Sequence, residues 1–334
     1  MSDVVCFGEI LLRLSAQNYQ RLASAPALEI TFGGAEANVA AQLSSLNIPS
    51  AFVSRLPEGP IPDRCLAELQ GLGVNIQHVQ RGGERIGLYF LEPGMSQRPT
   101  NVIYDRQHSA ISEATPEMFD WNQIFQPAKW FHWSGITPAL SPSTATICTD
   151  ACIAAKKAGL TVSFDVNFRS KLWSEQEAAT ILQPLMKYVD VCVCGEGDAV
   201  SILGATKVEG EETARLTAIA TELAKKYDFK TVAMTCRNAE RADQTGWRGL
   251  LLTDGEVSLS RNYDITIVDR VGAGDSFTGT LIYALLHKLA PARAIELAVA
   301  SSALKHTIPG DYNRVSLAEI EALANGIGGG RVQR

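Results

Sequence analysis

Short apolar runs alternate with helical stretches along most of this chain, and that rhythm limits its possible folds more than any other feature. Residues 4–8, 51–56, 129–134, 161–165, 189–194 and 231–235 read as strands. Helical spacing runs through Val39, Leu43 and Leu46, and then over about 63–72, 141–158, 175–188, 213–227, 275–289 and 291–306. Strands separated by helices of ~10–15 residues imply βαβ units. Such units build a mostly parallel sheet with helices on both faces. Ligands on open sheets of this kind bind beyond the carboxyl ends of the strands. The expected architecture is therefore α/β, in one domain over residues 1–334.

Two segments break the rhythm. Residues 10–32 and 85–110 read as extended chain with no helix between strands. They are expected to form a small separate sheet that covers a site. Edge hairpins on the main sheet are the alternative.

The chain is 46% hydrophobic and 20% charged, which suits an enzyme with a substantial core. Its net charge of −6 argues against a nucleic-acid partner, which needs surplus clustered Lys and Arg. A nucleotide needs only a local positive site. Seven cysteines occur without a CxxC pair. Cys192 and Cys194 fall on one face of a strand, as buried thiols do. Cys148 and Cys152 lack further ligands at zinc-site spacing. Reduced thiols suit the cytoplasm. The first residues carry no basic leader, and no apolar run nears the ~20 residues that span a bilayer. Neither a signal peptide nor a membrane anchor is expected. The glycine-rich tail at 326–331 is expected to fray.

The sharpest segment is Asp269-Arg270-Val271-Gly272-Ala273-Gly274-Asp275-Ser276-Phe277-Thr278-Gly279. A strand-like run, 265–268, precedes it, and a helix with Phe277, Leu281, Ala284 and Leu285 on one face follows. Two glycines here place bare backbone at a helix start, where free N–H groups and the helix dipole bind anions. A carboxylate beside such an anion site suits phosphoryl transfer, which needs positioning, a charge sink and a base for the hydroxyl nucleophile. Spacing alone leaves a second reading open: Asp275 as a helix N-cap and the glycines as a tight turn. The segment is neither the G-x-x-x-x-G-K-[ST] phosphate loop nor a dinucleotide fingerprint.

With these residues in view, the chain resembles the ribokinase/PfkB family of carbohydrate kinases, and within it the 2-keto-3-deoxygluconate kinases. The 269–279 stretch is similar to that family's C-terminal signature. Gly33-Gly34-Ala35-Glu36-Ala37-Asn38-Val39-Ala40 is similar to its N-terminal signature. Matches extend across essentially the whole chain. The resemblance implies a ribokinase-like three-layer αβα sandwich with a small β lid, such lids often pairing in a homo-oligomer. It implies Gly272, Ala273 and Gly274 as an anion hole and Asp275 as the base, with ATP and Mg2+ as cofactors.

The subgroup resemblance rests on three further places. Tyr104-Asp105-Arg106 resembles a lid segment that contacts the keto acid, and Tyr89 matches a lid tyrosine. Asp165-Val166-Asn167-Phe168-Arg169 resembles a D-x-N-x-R segment at a strand end. These imply Tyr89, Tyr104, Arg106 and Arg169 at the sugar acid, and Asn167 and Arg169 at the nucleotide. Independently, an arginine grips a carboxylate through two parallel hydrogen bonds, and a neutral sugar needs no such fork. Gly34 and Asn38 are expected to line the sugar pocket, with Asn38 tying down the helix start as the alternative, and Asp311 to close the pocket from the C-terminal side. Arg13 stands where many of the family's sugar kinases place Asp. It suits an acidic substrate and equally a solvated edge.

Two departures from the family pattern stand out. The N-x-x-E segment that organises magnesium is Gly195-Glu196-Gly197-Asp198 here, which leaves the metal ligands unassigned. A Lys-x-Gly nucleotide loop is replaced by Cys236-Arg237-Asn238, so Arg237 is the candidate nucleotide contact. The implied reaction phosphorylates 2-keto-3-deoxygluconate at its 6-hydroxyl. A fructokinase-like or ribokinase-like enzyme, or a non-catalytic sugar or nucleotide sensor on the same fold, are the alternatives. A dehydrogenase lacks its dinucleotide fingerprint.

Overall fold

The computed structural model describes residues 2–327. Most of the tail expected to fray therefore lies outside the described residues.

A ten-stranded sheet runs through the molecule. From Thr231–Arg241 the order is Val191–Gly195, Thr161–Asp165, Trp130–Ser134, Val4–Phe7, Ser50–Leu56 and Val79–Arg81, all parallel. On the other side, Gln244–Thr253 pairs antiparallel with Thr231–Arg241 and carries Glu256–Leu259 and Tyr263–Thr266. The run Val4-Val5-Cys6-Phe7 is apolar throughout because both faces of its strand are covered. With side chains alternating, Val5 and Phe7 enter one core cluster and Val4 and Cys6 the other.

Helix starts follow local chemistry. Ser141, Ser174 and Ser316 form capping boxes with Thr144, Glu177 and Glu319. The helix expected over 175–188 is α-helical only for Glu175–Leu182 and continues as a 3-10 turn, Gln183–Tyr188. Pro184 accounts for the change, since it removes an amide donor from the continuing helix.

The strand expected at 231–235 runs on to Arg241 and returns as Gln244–Thr253. Arg237 therefore stands on a strand of a long hairpin and not on a loop. The two irregular segments form a separate sheet of Leu28–Gly33, Leu11–Ala16, Gly87–Glu92 and Asn101–Asp105. Its central pair is parallel and the outer pairs antiparallel. All seven cysteines are free and buried. No helix among the described residues is long and apolar enough to cross a membrane.

Candidate active site

One cavity of about 1110 Å³ lies between the carboxyl ends of the parallel strands and the small sheet. Every candidate site residue named from the sequence lines it except Arg13 and Ala273, which are buried outside it. The C-terminal strand ends supply Asp165 and Cys194, and the small sheet supplies Tyr89 and Tyr104.

The glycine turn is set by sterics. The helix Ala273–Leu286 has Gly272 as its N-cap, at φ 82°. That conformation costs any residue with a Cβ, and a Cβ here would lie 1.9 Å from the Asp311 carbonyl oxygen. Asp275 is thus in the first helical turn and not the cap, and its side chain makes no capping bond. The Ala273 N–H is turned to the Arg270 carbonyl, 3.3 Å away. The N–H groups of Gly274 and Asp275 meet no backbone acceptor among the described residues and are left for an anion. Around Gly274 a Cβ would meet nothing within 4 Å. The two glycines therefore separate experimentally. Gly272→Ala should lower thermal stability by roughly 1–3 kcal/mol. Gly274→Ala should keep the melting temperature or raise it, since alanine favours a helix, yet weaken nucleotide binding. Equal losses of stability would contradict this division.

Asp275 is buried and takes a 2.6 Å hydrogen bond from Asn38 Nδ2. Asn38 Oδ1 accepts from the Gly34 N–H at 3.3 Å, so this amide holds the helix start and the carboxylate together. Burial pushes the Asp275 carboxyl up to about 7; Asn38 and Arg169 pull it down, while Asp311 and Glu36 add to the rise. Asp165 is raised further, to about 8, by burial and then by Asp275. A carboxylate near neutrality is suited to accept a proton from a hydroxyl. Gly34 lines the cavity and is required by packing: a Cβ there would sit 2.0 Å from the Glu9 carbonyl oxygen.

Arg106 is buried and anchored. Its Nε donates to Glu9 Oε2 at 2.8 Å, and Nη2 donates to the same oxygen. Glu9 Oε1 accepts from Ser109 Oγ at 2.7 Å. The guanidinium lies 4.7 Å from the Tyr104 ring centre, and its Nη1 is buried without a partner. A buried cationic N–H without an acceptor on a cavity wall is suited to an anionic ligand. Tyr89 Oη donates to both Asp311 oxygens, at 2.6 and 2.8 Å. Burial, and then Asp311, raise its phenol well above the usual range.

Arg13 is neither a solvated edge residue nor a cavity residue. It is buried, with Nη1 on Asp311 Oδ1 at 2.8 Å, Nη2 on Asp269 Oδ2 at 2.5 Å and Nε on Ser15 Oγ at 2.6 Å. Asp269 in turn accepts from the Val271 and Gly310 N–H groups, both at 3.0 Å. Sequence reasoning missed Glu9 and Asp269 because their partners lie far along the chain. One signal was available: Arg13 sits on the same strand face as Leu11 and Ser15, the face toward the body.

At the other end, Asn167 has φ 39° and its N–H donates to Asp165 Oδ1 at 3.1 Å. Arg237 lies 5.4 Å from the Trp247 ring centre. Asp198, raised by burial, lines the cavity beside Asp165. No cluster of three or more His, Cys, Asp or Glu among the described residues is placed to hold a metal ion. Two carboxylates on the wall of this cavity, Asp165 and Asp198, fit magnesium, which keeps its waters and binds chiefly through substrate phosphates.

Compared with known proteins, residues 1–316 match the pfkB family carbohydrate kinases. A 2-dehydro-3-deoxygalactonokinase of Haloferax volcanii is 35% identical over 325 residues, 97% of each chain. A 2-dehydro-3-deoxygluconokinase of Thermoproteus tenax is 29% identical over 93% of this chain and 90% of its own. The solved 2-dehydro-3-deoxygluconokinase of Thermotoga maritima is 47% identical, with a TM-score of 0.95 over 98% of both chains.

Proposed function

The chain belongs to the pfkB family of carbohydrate kinases, and from that premise we propose that it is an ATP-dependent sugar-acid kinase acting on 2-keto-3-deoxygluconate (2-dehydro-3-deoxygluconate). One observation carries the acid assignment: the anchored Arg106 lines the same cavity as Asp275 and has a buried Nη1 without a partner. The 35% identity to a galactonokinase favours the galactonate-derived epimer as a second acceptor.

In this reading the substrate carboxylate meets Arg106 under the small sheet, near Tyr89 and Tyr104. Asp275 takes the proton of the terminal hydroxyl as that oxygen attacks the γ-phosphorus. The N–H groups of Gly274 and Asp275 stabilise the phosphoryl oxygens, and Arg169 and Arg237 neutralise the nucleotide phosphates. Asp165 and Asp198 would hold magnesium through water, and the ion supplies charge neutralisation at the phosphates. The small sheet acts as a lid that excludes water.

Coupled ADP release with Mg2+-ATP tests the assignment against 2-keto-3-deoxygluconate, its galactonate epimer, gluconate, fructose, ribose and adenosine. Turnover confined to the keto acids is the expected result. Best turnover on a neutral sugar would discard the acid assignment, and binding without turnover would favour a sensor. Arg106→Lys keeps a charge for Glu9 but loses the fork. It should raise KM for the keto acid about 10–100-fold and leave a neutral sugar's KM unchanged; equal effects on both would refute the carboxylate role.

We also propose pairing of two copies through the lid. On its outer face Ile30, Leu14, Phe90 and Ile103 form one apolar row across the four strands, and Ile103 is 46% exposed. Ile103→Lys should convert a dimer to a monomer in sedimentation; a wild-type monomer would end the idea. Seven unpaired thiols support a cytoplasmic location.

A further inference from the structure

Three arginines, Arg169, Arg237 and Arg270, line the cavity, and several carboxylates at or near this end of it are already taken by other arginines. Asp243 pairs with Arg241, Glu196 with Arg215 and Glu212 with Arg248. The Arg237 guanidinium is lowered by desolvation and then by Arg270 and Arg169, so the three share one positive field. Arg270 is the member closest in sequence to the chemistry, two residues before the N-cap glycine.

Its geometry is specific. Nη2 donates to the Ala242 carbonyl at 2.7 Å, while Nε is buried with no partner. The Arg270 carbonyl closes the glycine turn by accepting from Ala273. On the other side, the Ala242 N–H donates to the carbonyl of Ser96, in the loop joining two strands of the small sheet, at 2.9 Å. One residue at the tip of the 231–253 hairpin thus joins the small sheet to this guanidinium through its backbone.

We propose that Arg270 is a catalytic residue that binds the phosphoryl group in flight and is held in place, through Ala242, by the closed small sheet. This deepens the kinase reading and rests on it. The step forms a bond from the sugar-acid oxygen to the γ-phosphorus and breaks the bond from that phosphorus to the β,γ-bridging oxygen. The hydroxyl proton goes to Asp275, and ADP leaves with the bridging electrons. Negative charge gathers on the bridging and equatorial oxygens, beside the turn that carries both Arg270 and Asp275. A guanidinium there supplies a fixed cation where the acidic pair Asp165 and Asp198 is the only magnesium support identified among the described residues.

The test uses the full chain and the variants R270A and R270Q. R270A should lower kcat about 10³-fold with the keto-acid KM within about threefold of wild type. R270Q keeps a donor for Ala242 and should lose turnover equally, which separates lost charge from a lost turn. Calorimetry with ADP and with a non-hydrolysable ATP analogue gives a second readout. R270A should bind ADP as wild type does and the triphosphate analogue about tenfold more weakly. Guanidinium in the assay should restore part of the R270A rate and none of the rate of Asp275→Asn. R270A or R270Q turnover within fivefold of an active wild type would overturn the assignment alone, as would equal weakening of ADP and analogue. A wild-type chain that phosphorylates no acceptor in the panel would overturn this assignment and the kinase reading together.

Discussion

Asp275→Asn should cut turnover about 10³-fold and at the same time raise thermal stability above pH 7. The first effect follows from losing the base. The second follows from its displaced titration. Burial lifts the folded-state carboxyl to about 7 from an ordinary 3.8. Between those values the native protein binds a proton that the unfolded chain has released. The stability this lends is complete below about pH 4 and is lost as pH rises through about 7. At pH 8 the native state thus holds a buried charge at a cost on the order of a few kcal/mol. Asparagine removes that cost and can still accept from Asn38. The melting-temperature gap between variant and wild type should be largest at pH 8 and close toward pH 5. In the free enzyme, kcat/KM should rise with pH through about 7 and then level off. A variant that melts lower than wild type at pH 8 would reject the displaced titration. Turnover near the wild-type rate would reject the base.

Arg13→Ala should cost about 3–5 kcal/mol, the range for breaking a buried ion pair from one side. The arginine answers two carboxylates that are themselves buried, Asp269 and Asp311. Removing it strands both. At roughly 2 °C per kcal/mol, the small end of the range as suits a long chain, the melting temperature should fall by about 6–10 °C. Turnover should fall too, because Asp269 holds the Val271 and Gly310 N–H groups and so shapes the glycine turn. Arg13→Met fills the same space without charge and should be nearly as harmful, which separates electrostatics from packing. A melting point within about 2 °C of wild type for both variants would show that the network is expendable.

How far the sequence could be read depends on the range of the interaction. The parallel sheet was legible because a buried strand is apolar on both faces and its helices keep a 3.6-residue period. Gly272-Ala273-Gly274-Asp275 was legible because a turn, a helix start and a carboxylate are adjacent in the chain. The antiparallel return at Gln244–Thr253 was not, since Arg237 through Arg248 lacks the apolar alternation of a covered strand. Arg13 was misjudged for a different reason. Its carboxylates lie 256 and 298 residues away, and no local pattern tells a paired buried arginine from an exposed one. Gly34 is equally ambiguous in sequence. A glycine whose missing Cβ makes room for the Glu9 carbonyl looks the same in sequence as one that makes room for a ligand.

The buried thiols carry a consequence for experiment. The thiolate is the species that attacks an alkylating reagent, so a sequestered cysteine reacts only when its surroundings open. Cys148 and Cys152 are fully enclosed by the core, and their labelling clocks the opening of that layer. Cys236 is 7% exposed, lines the cavity and has its thiol pushed up to about 11, chiefly by burial. It should therefore label first, and an occupied nucleotide end should slow it while leaving the two core thiols unchanged. The unmodified chain thus contains both a site-occupancy probe and an internal control, with no dye or tag to perturb either.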